Sequence, residues 1–73
     1  MNAYEPYRPF AVFAKSALVA DARHRFTNIV VEKDHGIVVL KGELSDARLA
    51  REAGELAAAA SGTPVFNRIV VRP

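Results

Sequence analysis

The sequence predicts an α+β sandwich: a three-stranded mixed sheet with two helices packed on one face, in the order α-β-β-α-β. Three observations lead there. Apolar residues recur at helical spacing in two separate stretches, one opening the chain and one following Ser45. Two short β-branched runs lie between them, joined by the turn-forming Lys33-Asp34-His35-Gly36. A third β-branched run closes the chain directly after Gly62-Thr63-Pro64. At 73 residues, 51% of them hydrophobic, the chain supports one globular domain. Residues 1–8 read as an N-terminal arm and residues 9–73 as the domain.

The first helix is expected over residues 10–22. Pro9 suits its first turn, where a missing donor costs nothing. Phe10, Phe13, Ala14, Ala17 and Leu18 form the apolar stripe. Arg23-His24-Arg25 would place positive charge at the negative end of the helix dipole. Residues 27–33 and 37–44 then form a hairpin. Ser45 is the expected N-cap of the second helix, with Leu49, Ala50, Ala53, Leu56, Ala57 and Ala60 on its buried side. Arg48 with Glu52, and Arg51 with Glu55, stand at i,i+4 on the wet side. Gly62 ends that helix and Pro64 prevents its continuation. Residues 65–72 form the third strand, which a right-handed crossover would lay parallel to the second.

The glycines of DHGIVVLKGEL (Asp34 to Leu44) admit a structural and a ligand-contact reading, and sheet geometry favours the structural one. Gly36 supplies the positive φ of a tight hairpin turn. Gly42 shares a sheet face with Val38, Leu40 and Leu44, where a missing side chain would let a helix backbone approach. With Ile29, Val31, Val38, Leu40, Leu44, Val65, Ile69 and Val71 toward the helices, the outer face carries Val30, Ile37, Val39, Phe66 and Val70. A sheet with water on one side alternates more cleanly than this. The outer face is therefore expected to be an interface, either with a second copy of the chain or with another protein domain.

The run G-I-V-V-L-K-G-E-L (residues 36–44) resembles the G-x-V-x-L-x-G-x-V signature of the BON domain, named for bacterial osmotically induced and nodulation proteins. KSALVAD resembles that family's first-helix motif, AREAGELAAAASG its second helix, and residues 65–71 its closing V-x-N-x-I-x-V strand. The similarity spans about residues 10–72. The chain departs from the pattern in a link one residue shorter before the last strand, and in Arg8-Pro9 where an acidic cap is usual. The resemblance implies a non-enzymatic module with the sandwich fold, associated with envelope maintenance, osmotic stress, transport and phospholipid binding. It makes Gly36, Gly42 and Gly62 scaffold positions and carries over no catalytic or ligand-binding residue.

The residues themselves point away from chemistry. Without cysteine there are neither disulfides nor thiolate metal sites. Asp34 beside His35 falls short of the three or four ligands a metal needs. Ser16, Ser45 and Ser61 have no base in reach of their local sequence, and no phosphate-binding loop is present. No catalytic residue, metal or cofactor is therefore expected. A net charge of +2 and the lack of an aromatic row or GXXG clamp argue against nucleic acid. Arg8, Lys15, Arg23 and Arg25 lie on or near the first helix and are candidate contacts for anionic lipid head groups, the alternative being an ordinary solvated helix. Tyr4 and Tyr7 could stack on a partner or lean on the domain. No apolar stretch approaches the roughly 20 residues of a membrane span. MNAYEPYRPF lacks signal-peptide character, so the expected compartment is the cytoplasm, or the periplasm for a mature or excised domain.

Overall fold

Pro9 caps the first helix, α1 (Phe10–Val19), and its carbonyl accepts the Phe13 N–H at 3.1 Å in the computed structural model, which describes residues 9–73. The expected arm, residues 1–8, lies outside the described residues. The helix stops at Val19, three residues before its expected end. Asp21 explains the stop. Its carboxylate accepts the Arg25 backbone N–H at 3.0 Å, and its carbonyl accepts that of His24 at 3.0 Å. Local capture of backbone donors by an aspartate competes with helix continuation. His24 adopts a left-handed φ of 54° in the resulting turn. Arg23-His24-Arg25 thus belongs to a loop and does not charge the last turn of a helix.

The core line of α1 is narrower than expected. Ala14 and Leu18 are buried and Phe10 packs against the core, but Phe13 is 46% exposed. At 100° per residue, Phe13 falls on the margin of the line through Phe10, Ala14 and Leu18. The largest fully buried side chain is instead Phe26, in the loop after α1. Ile29 is also buried there, its N–H donated to the Phe26 carbonyl at 3.2 Å.

That turn delays the first strand, β1 (Val30–Asp34), which pairs antiparallel with β2 (Ile37–Leu44). Asp34 stands opposite Ile37, so His35 and Gly36 form a two-residue loop with φ of 53° and 81°. Two consecutive positive φ values define the hairpin turn whose twist matches its strands. β3 (Val65–Val71) pairs parallel with β2, from Val38 opposite Val65 to Leu44 opposite Val71. The sheet order β1-β2-β3 makes β2 central.

Between the parallel strands runs α2 (Ala47–Ser61). Its N-cap is Asp46 and not Ser45: Asp46 Oδ1 accepts the Arg48 N–H at 2.7 Å. Its end is the expected one, Gly62 at φ 73° donating its N–H to the Ala58 carbonyl at 2.9 Å. Ala50, Ala53 and Ala57 are buried; Ser61 completes the line where Ala60 was expected, and Ala60 is exposed. Glu52 does not pair with Arg48 along the helix but reaches Arg25 of the preceding loop at 3.0 Å. Both helices pack on one face of the sheet and against each other, around Val38 and Leu40 of β2. Gly42 lies in that covered row, yet its close neighbour is not a helix. A Cβ there would meet the Asn28 carbonyl oxygen at 2.7 Å, and Gly42 itself holds a φ of 139°.

Candidate functional site

The face of the sheet away from the helices is built by alternation along three strands. Register sets it out in rows: Asp34 beside Ile37; Glu32, Val39 and Phe66; Val30, Lys41 and Arg68; then Glu43 and Val70. Phe66, Val30 and Val70 are 55%, 53% and 48% exposed. Val39, between Glu32 and Phe66 on the central strand, is buried. Ile37 is half-buried. The five expected residues thus share one face but not one condition: three stand in solvent, and two form a more sheltered floor on β2.

Charge interrupts the apolar surface at its middle. Lys41 Nζ pairs with Glu32 at 3.0 Å, a diagonal contact that separates Val30 from Val39. Arg72 Nε donates to Glu43 Oε2 at 2.8 Å. Arg68 faces Lys41 across the strands, and its guanidinium has no ion pair or hydrogen bond among the described residues. Lys41, Gly42, Glu43, Arg68 and Val70 line an open groove of about 380 Å³. Gly42, at its positive φ, is part of the lining of this groove.

The candidate lipid contacts separate. Arg8 lies outside the described residues. Arg25 is committed: its guanidinium holds Asp21 through two contacts, at 2.9 and 3.2 Å, and Glu52 at 3.0 Å, while lying 4.8 Å from the Phe26 ring centre. Hydrogen bonds from Arg25 hold the Asp21 carboxyl well below the usual carboxylate range, and Asp21 and then Glu52 push the guanidinium still higher. Arg25 thereby clamps the loop to α2. Lys15 and Arg23 are exposed. Beside them, α1 turns Val12, Phe13 and Val19 outward, at 57%, 46% and 58% exposure. This second apolar surface lies on the helix layer, opposite the open sheet face.

Gly36 and Gly62 sit at positive φ with open space around them, in the hairpin turn and the α2 cap respectively. His35 Nδ1 and Asp34 Oδ1 approach to 2.6 Å at the hairpin tip, both exposed. No cluster of three or more metal-ligating side chains occurs among the described residues, and none of their helices is long and apolar enough to cross a membrane. Sequence reasoning missed the Asn67 contact. Asn67 Nδ2 donates to the Ala50 carbonyl at 2.7 Å, its Oδ1 accepts the Ile69 N–H at 3.1 Å, and it occupies the space a Cβ on Gly54 would need. A glycine inside an alanine-rich helix was the available signal. Neither family models nor curated proteins give a match to this chain.

Proposed function

We propose that this chain is a non-enzymatic, BON-like binding module that works by association through its open sheet face, with a second copy or another protein domain as occupant. The observation that carries the reading is the one-sided placement of both helices, which leaves Phe66, Val70 and Val30 in solvent around the buried Val39. Fully burying such a side chain is worth about 1.5–3 kcal/mol, so covering three that are half exposed, one in each of three neighbouring rows, favours association by about 1 kcal/mol each. Phe66 is the natural anchor, because aromatic side chains dominate interface energetics. The module needs no cofactor or metal for this role. It would act in the cytoplasm, or in the periplasm as a mature or excised domain. Phe66→Lys tests the proposal, since a half-exposed side chain can be replaced without opening the core. Sedimentation equilibrium from micromolar to millimolar concentration should show weaker self-association, or loss of a purified partner domain, with the circular dichroism spectrum unchanged. An unchanged association constant would overturn it.

A second reading has its own observation. Val12, Phe13 and Val19 project from α1 beside Lys15 and Arg23, which suits a peripheral phospholipid-binding domain. Co-sedimentation with phosphatidylglycerol vesicles tests it. Phe13→Ser should release the protein from vesicles, and Phe66→Lys should not.

A further inference from the structure

The middle of the open face carries an unbalanced charge. Lys41 and Arg68 are partners in the β2–β3 register, and like charges directly opposite each other destabilise a sheet. Lys41 is compensated by Glu32, and Glu43 is taken by Arg72, which leaves Arg68 without a counter-charge among the described residues. Arg68 stands in the groove with Val70, one row from Phe66. We infer that this groove receives a carboxylate side chain from a protein partner whose apolar side chains cover Phe66 and Val70, an inference that rests on the open-face reading above.

Two features select this occupant. Stacking two copies of the sheet about a two-fold axis along the central strand would set Lys41 against its own image, bringing two cations together. A different protein with an acidic residue among apolar ones avoids that conflict. The charge density of the ligand is also limited. Glu32 and Glu43 flank the cationic row, so a phosphate dianion or a densely anionic surface would meet two carboxylates for one free guanidinium. A single carboxylate matches Arg68 alone, whose planar fork binds it through two parallel hydrogen bonds.

Titration of the protein with acetyl-Leu-Glu-Leu-amide, acetyl-Leu-Gln-Leu-amide and inorganic phosphate, followed by two-dimensional amide NMR, tests the inference. The acidic tripeptide should move the amides of Lys41, Gly42, Arg68 and Val70. Its affinity should fall about threefold or more when glutamine replaces glutamate, and equally for Arg68→Gln with an otherwise superimposable spectrum. Should that variant's spectrum collapse, Arg68→Lys, which keeps the charge but loses the planar fork, must weaken the acidic tripeptide and leave the glutamine tripeptide unchanged. Equal affinity of the two tripeptides at Phe66 and Val70 overturns the carboxylate while the open face stands. No movement on that face with either tripeptide overturns the inference, and the open-face reading is then decided separately by the effect of Phe66→Lys on association. Tighter saturation of the same amides by phosphate overturns the inference in favour of a phosphate ligand.

Discussion

Replacing Gly42 with alanine should be among the most damaging single-methyl changes in this domain. The added Cβ would lie 2.7 Å from the Asn28 carbonyl oxygen and 3.3 Å from Ile29 Cδ1, and φ at 139° is a region L side chains rarely adopt. The neighbour at shortest range is backbone, which no rotamer change can move. Backbone strain of this kind costs about 1–3 kcal/mol and overpacking by a single methyl about 1 kcal/mol, the lower end of its range, so a combined loss of about 2–4 kcal/mol is expected. A domain of 73 residues has a total stability of about 4–11 kcal/mol. The loss should therefore lower Tm by roughly 10–30 °C. Gly36→Ala is the control, because its Cβ would meet nothing within 4 Å and only the left-handed φ of 81° would be strained. That change should cost about 1 kcal/mol. Thermal and urea unfolding followed by circular dichroism measures both. A loss below about 0.5 kcal/mol for Gly42→Ala, the size of an ordinary surface substitution, would refute the reasoning.

Three further outcomes follow from the same geometry. Asp46→Ala should cost about 1 kcal/mol in urea unfolding and Ser45→Ala markedly less, since Asp46 makes the observed cap. Gly54→Ala should gain less than the roughly 1 kcal/mol of its helix propensity, because the new methyl displaces Asn67 from the Ala50 carbonyl; in an Asn67→Ala background the full gain should return, as a double-mutant cycle would show. Asp21 has a folded pKa below its unfolded value near 3.9, so its contribution is present above about pH 4 and lost as pH falls through the depressed value. The stability difference between wild type and Asp21→Asn should accordingly narrow in acid, and a constant difference would contradict the Arg25 clamp.

The element order was legible because each signal was local. His35-Gly36 and Gly62 announce a turn and a helix end through backbone freedom alone, and the β-branched runs of β2 and β3 permit little else. What escaped depends on distance. Glu52 has Arg48 at helical spacing, and only the folded chain brings Arg25, 27 residues earlier, within 3.0 Å. Phe26 sits in a loop with no periodicity to mark it, yet it is the largest buried side chain. Gly42 was legible as a close-approach position, but the approaching group, the Asn28 carbonyl, follows from where β1 begins. Ser45 and Asp46 are both good caps, and sequence alone could not choose between them. The outer face could be listed residue by residue from alternation. Its division by the Glu32–Lys41 pair and the isolation of Arg68 required the register.

Photo-crosslinking in the cells that make this protein distinguishes the two apolar surfaces. Benzoylphenylalanine would replace Phe66 or Val70 on the sheet face, and Phe13 on α1, one position at a time. Association through the open sheet predicts that positions 66 and 70 trap the same discrete protein species, that Arg68→Gln weakens its capture, and that position 13 does not trap it. Capture of that species from position 13, with none from 66 or 70, would contradict it.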